Sequence, residues 1–262
     1  MSAGKYTAML GAGLGMVHET RILLELWSEG ADVPTLQQTA LQSGRFPGIS
    51  ARRLENIVSL CFAPRYLRPP TTAATLKRLQ PVLSVREFVQ CLYLYACRAN
   101  PILADFVVQV YWPAYSAGKK SVSNEQARDF VKTANAAGMM AKPWTDSMLR
   151  RGAGYLTGSC ADFGLLAKGQ RTDREFLPFR IEPRIFAYLA YDLHFAELAD
   201  PSVINHPDWQ LFGLGEQDVL DEMKRQSPKG LWFVQSAGAL TRITWQLHSR
   251  EEVIDAFLAG EV

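Results

Sequence analysis

Residues 84–112 read SVREFVQCLYLYACRANPILADFVVQVYW, and this stretch decides the fold class. Ser84 and Glu87 stand at capping-box spacing, so a helix is expected to open there. The apolar density from Val85 to Arg98 reads as a largely buried helix. Asn100-Pro101 then caps and starts a second helix reaching about Trp112. Arg86, Glu87, Gln90, Arg98, Asp105 and Gln109 interrupt both windows. Neither approaches the roughly 20 clean apolar residues of a membrane span.

Helical signals continue on the N-terminal side of this stretch. Met16 to Glu29 has Leu23, Leu26 and Trp27 inward, and Pro34 to Gly44 opens on an early proline and stops on a glycine. Ser50 caps a third helix whose Leu54, Ile57, Val58 and Cys61 form one stripe, opposite Arg52, Arg53 and Asn56. Tyr66 to Pro70 is a break, and a short helix is expected over Thr72–Leu79. No convincing strand occurs before residue 115, so residues 1–115 read as a helical bundle.

Residues 116–262 read differently. Ser116 to Ser123, with Lys119-Lys120, is expected to be a linker or exposed loop. Ser123 and Gln126 form a capping box for a helix stopping near Gly138, and Thr145 can cap another running to about Phe163. Together they predict a helix-turn-helix with Ser147, Arg150 and Arg151 on the early exposed face. Gly152, Gly154 and Gly158 weaken that second helix by about 1 kcal/mol each relative to alanine, which points to close packing. Beyond Gln170 a connection leads to helices over Pro183–Leu198 and Glu216–Gln226. Leu231–Ser236 and Leu240–Leu247 flank Ala237-Gly238-Ala239 as a hairpin, and Ser249 with Glu252 opens a last helix. The expectation is a mainly α protein: an N-terminal helical bundle, then a helix-turn-helix or winged-helix-like part with one short β-hairpin.

Composition is that of an ordinary globular protein, with 48% hydrophobic and 21% charged residues, so wholesale disorder is excluded. The net charge of +2 identifies no partner, but its distribution is informative. From Arg45 to Arg86 eight basic residues meet one acid, Glu55, whereas Ile185 to Met223 holds eight acids and no Lys or Arg. A concentrated positive field attracts phosphate.

Catalytic and metal chemistry find no support. Cys61, Cys91, Cys97 and Cys160 sit in apolar surroundings without metal-ligand spacing, as buried reduced thiols do. His18, His194, His206 and His248 are isolated; Asp192 and Glu197 near His194 read as a polar face. Gly11-Ala12-Gly13-Leu14-Gly15 lacks both the preceding strand and the following Lys-Ser/Thr of a phosphate loop, and reads as a flexible turn into the first helix. No catalytic residue, metal ligand or cofactor is expected. The candidates are nucleic-acid contacts: Arg45, Arg52, Arg53, Arg65, Arg68, Lys77, Arg78, Lys119, Lys120, Arg150 and Arg151, with Tyr66 placed to stack on a base or to pack. Arginine suits phosphate because its planar fork donates two parallel hydrogen bonds.

Three stretches carry a resemblance. Tyr6-Thr7, the glycine-rich turn and His18-Glu19-Thr20-Arg21 look like one family's opening. Trp144-Thr145 leading to Asp162-Phe163-Gly164-Leu165-Leu166, and Leu211-Phe212-Gly213-Leu214 ahead of the hairpin, follow in order. In these the chain resembles the BrxA family of bacteriophage-exclusion (BREX) defence systems. That resemblance implies a small non-enzymatic component with a NusB-like helical part and helix-turn-helix character, binding double-stranded DNA beside other BREX proteins. A soluble, cytoplasmic protein is expected. A protein-protein adaptor and a NusB-like RNA-binding protein are the alternatives.

Overall fold

In the computed structural model Ser84 and Glu87 close their capping box: Glu87 N–H donates to Ser84 Oγ at 3.3 Å, and Ser84 N–H donates to Glu87 Oε2 at 2.7 Å. The structure describes residues 5–169, 172–237 and 240–260. It divides into two units, unit 1 from Met1–Gln80 with Cys91–Phe179 and unit 2 from Pro81–Gln90 with Arg180–Val262.

Unit 1 opens with a 3-10 turn, Ala8–Ala12, followed by α1 (Val17–Leu26), α2 (Val33–Gln42), α3 (Ala51–Asn56), α4 (Ala63–Tyr66) and α5 (Pro70–Leu79). Next come α6 (Val85–Ala99), which begins in unit 2, then α7 (Pro101–Phe106), α8 (Trp112–Ser116), β1 (Ser121–Ser123), α9 (Asn124–Ala136), α10 (Asp146–Asp162) and β2 (Asp173–Glu175). Every residue of α6 from Cys91 to Cys97 is buried, which is why this helix is apolar all round. Two widened, π-helical segments, Ile57–Phe62 and Val107–Tyr111, join α3 to α4 and α7 to α8. Each comes shortly before a proline, Pro64 or Pro113. Proline lacks the donor for the carbonyl four residues back and its ring clashes there, and a widened turn absorbs both defects. The helix therefore continues past Trp112 to Ser116, beyond its expected end.

Where the sequence predicts only a loop and a connection, β1 and β2 pair antiparallel, Val122 opposite Arg174. Three-residue strands reading Ser-Val-Ser and Asp-Arg-Glu carry too little alternation to be seen in advance. The boundary expected at residue 115 falls inside unit 1, because α9 packs on the Val107–Tyr111 segment and α10 on the Ala8–Ala12 turn.

Unit 2 follows the expected order more closely: α11 (Pro183–His194), α12 (Asp200–Ile204), a 3-10 turn Pro207–Phe212, α13 (Glu216–Gln226), β3 (Trp232–Ala237), β4 (Leu240–Trp245) and α14 (Arg250–Ala259). The hairpin is present with Val234 opposite Ile243; Gly238 and Ala239 of its turn, like Gln170, lie outside the described residues. Tyr191, Trp232 and Trp245 pack ring against ring at its base. Ser249 caps α14 through Glu252 N–H, but the Glu252 carboxylate reaches His248 N–H and not the backbone of Ser249.

None of the four cysteines is in a disulfide, and all four are buried. Burial pushes the Cys160 thiol up to about 12, and it raises Cys61 as well, although the Arg65 charge acts in the opposite sense there. Thiolate is the reactive form. A thiol reagent is therefore expected to label none of the four in native protein at mildly alkaline pH and all four in denaturant. Fast native labelling would contradict this packing.

Among the described residues no single helix is long and apolar enough to cross a membrane. Only the pair Val85–Ala99 and Pro101–Ser116 passes by length and composition, and it is bent by 108°.

Candidate nucleic-acid interface

The eleven candidate residues all belong to unit 1. Ser50 Oγ accepts from Arg53 N–H at 3.3 Å and starts α3 there. With Leu54, Ile57 and Val58 turned into the core, Arg52 and Arg53 are left exposed on the first turn. Neither has an ion-pair partner among the described residues. Two cations at the positive end of a helix dipole are unfavourable, by about 0.3–1 kcal/mol each. Helix stability does not explain them; an anion would. Arg68, in the segment between α4 and α5, is likewise exposed.

Other members of the basic run are engaged inside the protein. Arg45 Nη1 lies 2.6 Å from Glu25 Oε2, and Gln80 donates to the other oxygen of the same carboxylate at 2.8 Å. The Lys77 ammonium donates to the carbonyls of Glu25 and Trp27, at 3.0 and 2.5 Å, and so caps the C-terminal end of α1. Glu25 lies outside the basic run as counted along the chain, yet it neutralises part of it. Arg78, on α5, is exposed.

Arg65 and Tyr66 are corrections. Arg65 is 4% exposed and Tyr66 0%. Neither can reach a phosphate or a base. The rod from Ala51 continues to Tyr66, so Arg65 falls eleven residues, three turns, beyond Leu54 and on its buried face. The stripe Leu54, Val58, Cys61 extended by four residues lands on Arg65, which stands ahead of the break expected at Tyr66 to Pro70. The Tyr66 ring packs on Phe62 at 5.2 Å, and its hydroxyl faces Thr20 and Arg65 without a well-formed hydrogen bond.

Lys119 and Lys120 are exposed just before β1, where Lys120 O accepts from Phe176 N–H at 3.1 Å. The Ser123–Gln126 capping box starts α9, with Gln126 N–H to Ser123 Oγ at 3.0 Å and Ser123 N–H to Gln126 Oε1 at 2.9 Å. The connection of residues 137–145 is longer than the roughly three- to four-residue turn of a helix-turn-helix. It is tied down by Asn135, which bonds Trp144 N–H at 2.8 Å and Trp144 O at 3.3 Å, and by Tyr6, which brackets Met140 from the N-terminus. Ser147 on the first turn of α10, and Arg150 and Arg151 on its second, stand exposed, as expected.

An open cleft of about 330 Å³ lies between α9 and α10, lined by Asn124, Glu125, Arg128, Arg150, Ala153 and Gly154. Arg128 is the residue that sequence reading missed; its Nε is buried without a partner. Its spacing of four from Asn124, whose Oδ1 accepts from Thr157 on α10 at 2.9 Å, is the signal that places it on the α10 side. Gly154 leaves the cleft wall open, since no atom lies within 4 Å of where its Cβ would be.

The glycine-rich turn has a packing role. A Cβ on Gly15 would stand 2.4 Å from Asp162 Cβ, and Gly15 N–H donates to Asp162 Oδ2 at 2.9 Å. One on Gly13 would stand 2.8 Å from Cys61 Sγ. The turn is seated against α10 and the Ile57–Phe62 segment, with no room to cradle a phosphate.

A family model described as BrxA matches residues 4–192, well over half of the chain. The chain belongs to the BrxA family. This BrxA-family chain is also similar to a solved structure, the crystal structure of an uncharacterized protein from Magnetospirillum magneticum. The identity is 17% over 73% of this chain and 95% of that one, with a TM-score of 0.60, a likeness of fold alone. No curated protein matches. Family membership points to a component of a BREX phage-defence system. The matched stretch ends at Asp192, near the end of α11, so α12 to α14 and the hairpin lie beyond it.

Proposed function

We propose that this chain is a non-enzymatic, double-stranded-DNA-binding component of a BREX-type defence system, working in the cytoplasm beside other BREX proteins. One observation carries the reading: charge is segregated by unit. Unit 1 has 20 Lys and Arg against 12 Asp and Glu, a formal +8, whereas unit 2 has 8 against 14, a formal −6. The net +2 of the whole chain hides this division. Arg52, Arg53, Arg68, Arg150 and Arg151 supply exposed guanidinium groups on the basic unit. Such contacts give affinity and register, and leave base reading to other groups. The long 137–145 connection argues for α10 lying along the backbone with its first two turns, in a looser arrangement than a strict helix-turn-helix.

The test is fluorescence anisotropy with a labelled mixed-sequence duplex, competed by unlabelled duplex or by single-stranded RNA. A dissociation constant of roughly 10⁻⁴–10⁻⁶ M near physiological salt is expected, the range of non-specific phosphate binding, with the duplex as the better competitor. Preference for RNA would favour the NusB-like alternative. Absence of binding to either would overturn the reading.

A second reading, an adaptor for a basic protein partner, draws on unit 2. Its α13 exposes Glu216, Asp218 and Asp221, and β3 exposes Phe233 to 53%. An acidic helix beside the hairpin suits a protein partner better than DNA, whatever winged-helix likeness the element order has.

A further inference from the structure

Unit 1 also holds a half-open cavity of about 270 Å³ that shares only Arg151 with the basic residues named above. It is lined by Trp144, Tyr155, Met148, Ile102 and Arg151, and by residues of the 3-10 turn that begins at Ala8. Two glycines set the rings in place. A Cβ on Gly152 would stand 2.5 Å from Trp144 Cζ3, and one on Gly11 would stand 2.6 Å from Tyr155 Cε2. The Trp144 backbone is held on both sides by Asn135, so this ring is anchored by its main chain as well as by contact. Both rings remain partly open to solvent.

The polar side-chain groups among the lining residues are the Trp144 indole N–H, the Tyr155 hydroxyl and Arg151, and none is a carboxylate. Arg151 Nε donates to Ser147 O at 3.4 Å; its terminal nitrogens have no ion-pair partner among the described residues. Pockets for drug-sized ligands run from about 300 to 1,000 Å³, so this one suits a single flat ring system and excludes a long chain. Aromatic walls offer π-faces to a planar ligand, and a guanidinium beside them selects for an attached anion.

We infer that this cavity binds one nucleotide, its base against Trp144 and Tyr155 and its phosphate on Arg151. The nucleotide is either free or an unpaired residue in a strand. The inference does not rest on duplex binding: it concerns a base out of the stack, and a fully paired duplex does not present one.

The test is isothermal titration of the full chain with dAMP, with adenosine, and with two duplexes, one fully paired and one carrying a single unpaired adenine. Saturable binding of dAMP is expected, at least tenfold tighter than adenosine. Ala8→Phe fills the cavity from an exposed position and is expected to weaken dAMP at least tenfold, with an unchanged melting temperature and unchanged binding of the paired duplex. Arg151→Gln is expected to abolish the preference for dAMP over adenosine. Tighter binding of the unpaired-adenine duplex than of the paired one assigns the strand as source, and equal binding of the two assigns the free nucleotide. Failure of both dAMP and the unpaired adenine to bind would overturn the inference, as would dAMP binding indifferent to both substitutions.

Discussion

A chain carrying Arg52→Glu, Arg53→Glu and Arg150→Glu together is expected to keep its fold and to lose duplex-DNA binding by about 100-fold or more. The three side chains are exposed and make no ion pair among the described residues, so their removal breaks no internal bond. On the first turn of α3 the change relieves an unfavourable placement, since acids are favoured at the positive end of a helix dipole. Each reversal changes the charge by two, taking unit 1 from a formal +8 to +2. A 100-fold loss corresponds to about 2.7 kcal/mol, or roughly 1 kcal/mol for each lost phosphate contact. Circular dichroism and the melting temperature check the fold, and anisotropy reads the binding. Unchanged affinity would remove these residues from the interface. Lys77→Glu is no substitute for this test, because it would also uncap α1.

The second large effect falls on stability. Tyr66→Ala is expected to cost about 3–5 kcal/mol, the range for emptying a buried aromatic site. The ring is wholly enclosed, with Phe62 at 5.2 Å and Tyr95 at 6.5 Å. The melting temperature should fall by roughly 10 °C on the usual scaling for a chain of this size. Tyr66→Phe should be close to neutral, because the buried hydroxyl has no hydrogen bond to lose. If Tyr66→Ala instead left the melting temperature unchanged and abolished DNA binding, Tyr66 would be a stacking residue and the packing described above would be wrong.

These two outcomes mark where sequence reading succeeded and where it stopped. Local signals were legible. The capping pairs Ser84–Glu87 and Ser123–Gln126, the Ser50 cap and the hairpin strands stand where their residue types put them, because each depends on neighbours within a few positions. Readings that needed distant partners did not survive. Glu25, on α1, meets Arg45 and Gln80 only through the fold. The segregation of charge was half visible, since Pro81–Gln90, including Arg86, joins unit 2, and there Arg86 pairs with Glu182 at 2.7 Å. Gly11, Gly13 and Gly15 read as a flexible turn and are in fact contact points, which no pattern within the turn reveals. Arg65 was legible in principle, because its spacing from Leu54 already placed it among buried side chains.

The salt dependence of duplex binding by the full chain tests phosphate contact by the basic unit most directly. Neutralising a phosphate releases counterions, so log Kobs should fall linearly with log salt at about −0.9 per contact. With Arg52, Arg53 and Arg150 engaged the slope should be about −3 or steeper, and the triple glutamate variant should lose about 3 of it, keeping only what Arg68 and Arg151 supply. A flat dependence in the unsubstituted chain would contradict phosphate binding by the basic unit.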